Sequence, residues 1–389
     1  MFDQNLPPTY DASGLAGVLP AVVRSLGVAE PAGNHDGPRD LLDVLPARRA
    51  VVVLIDGLGY DLVRQRSGHA PFLRGLLPSA YRLCAGFPST TATSMGTFGT
   101  GLPPGAHGLV GYEVLVPGED RLLNELSWEN GPDPRLWQPI QTVFERAAGG
   151  GVAVTRIGPG FFDGSGLTNA ALRGGAFKAA HSLEARVDAT LTAVRASKRA
   201  LVYLYWGELD KVGHVHGCQS WEWGDELELI DRSLARLVAE VPSDTAVYVT
   251  ADHGMVDAPH ALRIDLAHDL ELAGGVRHVG GEPRSLQLYC QQGATADVLA
   301  TWRERVDARA WVLSRDEAIG HGLFGVVSER VLPRIGDIIV AMRDNFAIVD
   351  SRTARPKLLA LLGLHGSLTP EEIAIPLFQV AARDSAGGL

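Results

Sequence analysis

The sequence predicts an α/β fold: a doubly wound, mostly parallel sheet flanked by helices, with a smaller α+β insert. Three observations predict it. Continuous apolar runs rich in β-branched and aromatic residues recur in "AVVVLIDGLGYDLV", "RALVYLYWGELD" and "TAVYVTADHG", each giving way to acidic residues or histidine. Such runs mark strands buried on both faces of a parallel sheet. Helical patterns such as "LEARVDATLTAVRAS" and "WGDELELIDRSLARLVAEV" lie between them, and strand-helix alternation is the pattern of a doubly wound sheet. From about Ala261 that rhythm changes. A chain of 389 residues is long enough for one large α/β unit with such an elaboration.

Taken in order, "GLAGVLPAVVRSLGV" (Gly14 to Val28) has helical spacing that Pro20 is expected to break, and "AEPAGNHDGPRD" is a turn-rich connector. The ordered core is expected to start near Leu41, with residues 1–40 as helix and connector. A discontinuous core then covers 41–260 and 344–382, with a weaker strand pattern at "GVAVTRIGPG". The insert, 261–343, has strand patterns in "RSLQLYC" and "RIGDIIVAMRD" and a helix at "TADVLATWRERV". Residues 383–389, within "RDSAGGL", read as a disordered tail.

Composition excludes several classes. With 35 basic against 45 acidic side chains, the net charge of -10 supplies no basic surface for a phosphate backbone. Nucleic acid is therefore not an expected obligate partner. Cys84, Cys218 and Cys290 are odd in number and far apart, unlike a disulfide framework or a thiolate metal site. No run approaches 18 apolar residues and the start lacks a signal-peptide pattern, so no membrane span is expected and a cytoplasmic location is the reading.

In open parallel sheets ligands gather beyond the carboxyl ends of the strands. Asp56 follows "VVVLI", Asp210 and His214 follow "LVYLYW", Asp252 and His253 follow "AVYVT", and His365 lies in "GLHGS". Singly, an aspartate after a strand is more often a cap or turn residue. Asp210 and His214 are four apart, on one side of a helical turn, which suits shared metal ligation. Asp252 and His253 are adjacent and reach one ion only if the chain turns sharply at Gly254. Three carboxylates and three imidazoles are too many for one open catalytic site and suit two divalent ions, zinc first, with manganese or iron also tolerated.

Such an ion pair is a clamp for displacement at phosphorus, one ion at the nucleophile and one at the leaving oxygen. The hydroxyl cluster "FPSTTATSMGTF" reads as a turn at Pro88 followed by the first turn of a helix, where the helix dipole favours an alkoxide and an anionic substrate. Position alone leaves Ser89, Thr90, Thr91 and Thr93 open, and Ser89 or Thr90 would equally make an N-cap.

Five segments, "VVVLIDGLGYD", "FPSTTATS" with "GTGLPPGAHGLVGY", "ELDKVGHVHG", "TADHGM" and "GLHGSLTPEE", occur in order from Val51 to Glu372. In them the chain resembles the alkaline phosphatase superfamily, most closely its nucleotide pyrophosphatase/phosphodiesterase branch. The resemblance implies an alkaline-phosphatase-like sheet and selects Thr91 as the nucleophile. It implies one metal held by Asp56, Thr91, Asp252 and His253, and another by Asp210, His214 and His365. Where family phosphodiesterases carry an asparagine for the phosphoryl oxygen, this chain has Tyr112, whose hydroxyl can donate one hydrogen bond there. The resemblance places no arginine on the phosphate. Cys84 in "CAGFP" does not supply a sulfatase core, so sulfate esters are not expected.

The implied activity is hydrolysis of phosphoric diesters or pyrophosphates, with a nucleotide or similar small phosphoester as substrate and a phospho-threonine intermediate. The rivals are a phosphomonoesterase or phosphomutase on the same metal pair, and a metal-binding interaction protein without turnover. Weaker signals are His107 as a loop-structuring residue, His216 and His260 near ligand segments, and Trp206, Trp221 and Trp223 as stacking faces or core.

Overall fold

The computed structural model describes residues 8–11, 13–29, 42–44 and 46–380. Most of the connector and the expected tail lie outside the described residues. Two sheets carry the architecture. Their strands, in chain order, are β1 (Arg49–Ile55), β2 (Tyr81–Cys84), β3 (Ala153–Gly158), β4 (Ala176–Ala179), β5 (Ala200–Trp206), β6 (Thr245–Thr250), β7 (Val276–Glu282), β8 (Ser285–Cys290), β9 (Ala310–Ser314), β10 (Ile338–Met342) and β11 (Ala374–Val380). The large sheet has the order β2-β11-β6-β1-β5-β3-β4 and the smaller one β7-β8-β10-β9. In the large sheet β11 runs antiparallel to both its neighbours, β2 and β6, while the other pairings are parallel.

The register brings the strand ends together. Central β1 pairs with β5 on one side, Ile55 opposite Trp206, and with β6 on the other, Leu54 opposite Thr250. Two residues further along each strand, Asp56 and Asp252 leave the sheet level with one another. Every residue of β1 after Arg49 is buried, as expected of a strand covered on both faces.

Six helices matter here: α1 (Leu15–Ser25), α2 (Thr91–Thr100), α3 (Leu183–Arg195), α4 (Glu208–His216), α5 (Trp221–Glu240) and α6 (Thr295–Val306). Pro20 does not break α1, contrary to the sequence expectation. It removes one amide donor, a cost of about 3 kcal/mol in an isolated helix. Burial of Leu15, Val18, Leu19 and Val22 in the main core outweighs that loss. The ordered core therefore begins well before Leu41.

Strands β7 to β10 and α6 enclose a second apolar cluster around Leu288, Trp302, Ile338, Val340 and Met342. A buried ion pair ties this sheet to the segment after His365. Arg284, at the β7–β8 turn, donates from Nε and Nη2 to the two carboxylate oxygens of Glu372, at 3.1 and 2.6 Å.

Candidate active site

All the singled-out ligand-type residues meet at the carboxyl edge of the large sheet. Asp56 and Asp252 come from the ends of β1 and β6, and Asp210 and His214 from successive turns of α4. His253 follows Asp252. Gly254 is demanded there by close approach, because a Cβ would overlap the carbonyl oxygen of Glu371. His365 arrives on the loop after Gly363–Leu364, a short strand paired with Val256–Asp257.

The six fall into two adjoining groups, Asp56/Asp252/His253 and Asp210/His214/His365. Within each, one potential ligand atom per residue lies within 4.8 Å of the others. His253 Nε2 is 3.3 Å from Asp56 Oδ1 and 3.5 Å from Asp252 Oδ2. His214 Nε2 is 3.3 Å from Asp210 Oδ2, and His365 Nε2 is 3.8 Å from Asp210 Oδ1. The His253 and His365 rings stack at 3.7 Å and join the two groups.

All three imidazoles are oriented from behind. Nδ1 of His214 donates to the Gly363 carbonyl at 2.7 Å, that of His253 to Gly254 at 2.9 Å, and that of His365 to Ser89 at 2.9 Å. A carbonyl can only accept, so Nδ1 carries a proton and Nε2 is the atom turned into the site, its lone pair open to a cation once the ring is neutral. Without a cation, burial lowers His214 but Asp210 outweighs it and pushes the ring up to about 9. Opposite those lone pairs, Asp56 Oδ1, Asp210 Oδ1 and Asp252 Oδ2 are buried without a hydrogen-bond partner among the described residues. Without a cation, burial followed by the charge of Asp252 pushes the Asp56 carboxyl well above its usual range. Burial, with Asp210 nearby, pushes Asp252 up to about 7. For Asp210 burial acts the same way, but His214 beside it wins and holds the carboxyl below the ordinary value. Orphaned acidic oxygens facing imidazole lone pairs fit divalent cations.

Of the four hydroxyls left open by sequence, their surroundings differ. Ser89 is buried and structural, its Oγ donating to the Ser367 carbonyl at 2.7 Å and accepting from Gly366 N–H at 3.2 Å. Thr93 is buried and does not line the cavity. Thr90 is the N-cap of α2, although its side chain makes no capping bond. Thr91, the first residue of α2, lies on the cavity wall with Oγ 3.2 Å from His253 Nε2.

That cavity, about 830 Å³, has Asp56, Thr91, Asp210, His214 and His365 in its wall. Tyr112 also faces it, and burial raises its phenol. Val279 to Pro283 line it from the smaller sheet, and Phe161, Phe162, Phe177 and Tyr205 form an aromatic side. His107 ends the short helix Pro104–His107 and braces the turn after it: Nε2 meets Thr97 Oγ1 at 3.1 Å and Nδ1 accepts from Leu109 N–H at 3.1 Å. His216, His260, Trp206, Trp221 and Trp223 do not line the cavity. Trp206 donates to Glu226 instead, and Trp221 is exposed.

Sequence reasoning missed two contributors. Tyr205 donates its hydroxyl to Asp56 Oδ2. Glu282, at the end of β7, reaches within 3.8 Å of His365 Nδ1, and burial pushes its carboxyl up to about 8. No local pattern marks either, since both act across the tertiary fold.

Residues 50–368 match the family described as type I phosphodiesterase / nucleotide pyrophosphatase. The chain belongs to this family. Among solved structures, murine ectonucleotide pyrophosphatase/phosphodiesterase 5 is 20% identical with a TM-score of 0.66, over 85% of this chain and 87% of that one. The human counterpart is 18% identical with a TM-score of 0.67, over 86% and 88%. Phosphonoacetate hydrolase from Sinorhizobium meliloti, in complex with phosphonoacetate, is 19% identical with a TM-score of 0.68, over 92% and 95%. At these identities the likeness shows the shared fold. No curated protein sequence matches the chain. As a type I phosphodiesterase / nucleotide pyrophosphatase family member, the chain is a phosphoester hydrolase, and the family is of the metal-dependent kind. Among the described residues no helix is long and apolar enough to cross a membrane.

Proposed function

We propose that this phosphoester hydrolase cleaves phosphoric diesters or pyrophosphates through a phospho-threonine intermediate on Thr91. One observation carries the reading: three orphaned carboxylate oxygens face three inward imidazole lone pairs beside the Thr91 hydroxyl. Asp56, Asp252, His253 and Thr91 Oγ would hold one divalent cation, and Asp210, His214 and His365 a second, with zinc favoured by the mixed nitrogen and oxygen set. When bound, the ions supply positive charge for the entering and departing oxygens.

The residues supply position and proton bookkeeping. Thr91 sits at the positive end of α2, which favours loss of its proton and draws an anionic phosphoryl group. Its oxygen bonds to phosphorus as the ester oxygen leaves with the bonding pair and takes up a proton. Water then cleaves the phospho-threonine and restores the hydroxyl. Tyr112 donates to a non-bridging oxygen. A nucleotide or nucleotide derivative is favoured by the aromatic side of the cavity. An inactive threonine-to-alanine variant of the murine neighbour has been solved in complex with AMP, which supports the same substrate class.

The test is Thr91→Ala assayed with bis(p-nitrophenyl) phosphate and p-nitrophenyl phosphate, with metal analysis of the same sample. The variant is expected to lose turnover and keep its metal. Residual turnover near the wild-type rate would refute the nucleophile, and a wild-type preference for the monoester would move the chain to the phosphomonoesterase reading.

A further inference from the structure

The cavity contains a cation that the cleavage reaction does not use. Arg156, on β3, is only 8% exposed, lines the same cavity as Thr91, and has no hydrogen-bond partner for Nε or Nη1 among the described residues. Its guanidinium carbon lies 5.7 Å from the centre of the Phe177 ring. Asp163 attracts it through space without forming an ion pair, and burial disfavours its charged form. A second cavity arginine shows the contrast. Arg186 spends Nε, Nη1 and Nη2 on the carbonyls of Ala180, Tyr205 and His181, so it is built into the wall. Leaving the donors of a buried guanidinium unmatched is costly, and a planar fork of N–H groups suits an oxyanion.

Register places this group relative to the reacting centre. Arg156 pairs with Tyr203 across β3 and β5, so the two side chains share one face of the sheet. Tyr205, two residues along β5, shares that face and donates to Asp56. Through Tyr203, Arg156 is level with Val52, so on the same face as the ligand groups its backbone is two strands, about 10 Å, to the side of β1 and four residues, about 13 Å, short of Asp56 along it. With both offsets, and with no hydrogen bond or ion pair between Arg156 and Thr91 or the ligand groups among the described residues, its guanidinium lies away from the phosphoryl group under attack and fits the far end of a substrate arm.

We propose that Arg156 binds an oxyanion at the far end of the substrate, so that the preferred phosphodiester carries a carboxylate or second phosphoryl group on an organic arm lying against Phe177. This deepens the cleavage reading and rests on it for the identity of the reacting end. The probes are p-nitrophenyl phosphodiesters whose alkyl arms end in a carboxylate, its methyl ester or a phosphate, in a graded series of lengths. With wild-type protein, kcat/KM for the best anionic arm should exceed that for its neutral counterpart by about tenfold or more, as for other hydrogen bonds to charged groups. The carboxylate and phosphate arms show which oxyanion is preferred.

Arg156→Met should bring that ratio close to one, and Arg156→Lys should retain part of it; thermal melts of both variants confirm folding. A wild-type ratio near one at every arm length, as when the guanidinium holds only water, would overturn the proposal. So would a ratio unchanged in folded Arg156→Met. Calorimetric binding to Thr91→Ala protein separates the two readings. Tighter binding of the anionic arm that is lost when Arg156→Met is added supports the subsite even where no ester is cleaved, and only the cleavage reading then falls.

Discussion

Replacing Arg284 by methionine should destabilise the fold through one buried charge. Both Arg284 and Glu372 have fully buried side chains, and two of the donors that Glu372 accepts come from the guanidinium. Methionine keeps much of the volume and removes those donors. Glu372 is left with Ser367 N–H at 3.0 Å and Thr369 Oγ1 at 2.6 Å, and the Phe346 carbonyl also loses its guanidinium partner. Breaking one side of a buried pair costs about 3–5 kcal/mol. An unfolding entropy of about 2.1 cal/mol/K per residue, over 389 residues, is about 0.8 kcal/mol/K. A loss of about 4 kcal/mol then lowers Tm by about 5 °C. Differential scanning calorimetry reads the shift directly. The double variant Arg284→Met/Glu372→Leu should recover much of the loss, because no uncompensated carboxylate remains. A single-variant shift under about 1 °C, or strictly additive losses in the double variant, would refute the argument that this pair fastens the smaller sheet to the loop bearing His365.

His365→Ala should lower the metal bound per chain by one ion after dialysis against limiting zinc, measured by elemental analysis; two ions retained would remove His365 from the ligand set. Tyr112→Phe should reduce kcat/KM for bis(p-nitrophenyl) phosphate by about 100-fold with metal content unchanged, the scale of one lost oxyanion donor. Unchanged kinetics would assign Tyr112 to packing. His107 is held neutral, burial pushing it from 6.5 to about 3. A depressed base stabilises the fold fully above its unfolded value, so its contribution is lost as pH falls from 6.5 towards 3. The slope from this residue is at most about 1.4 kcal/mol per pH unit. His107→Asn should remove one proton from the uptake on unfolding measured in that window.

The large sheet and the acidic and imidazole residues of the candidate site were legible because each is written locally. A run such as "VVVLI" states its burial on both faces, and a parallel sheet carries the residues after each run to one edge. The hydroxyl cluster was legible as a helix start, but its members could not be ranked from local pattern. Ser89 is spent on Ser367 and Gly366, nearly three hundred residues away in sequence, and only that contact shows why its oxygen is unavailable.

The tryptophans show the opposite failure. Trp206 is close to Asp210 in sequence, yet side chains alternate along β5: Tyr205 turns towards Asp56, and Trp206 turns to the other face and meets Glu226. The sequence by itself determined the strand runs, the acidic and imidazole residues at their ends, and the family motifs. Tertiary structure alone decided the convergence of His365 on Asp210, the entry of Glu282 from the smaller sheet and the open donors of Arg156. Those are pairings between distant segments, fixed by register and packing, and no local periodicity encodes them.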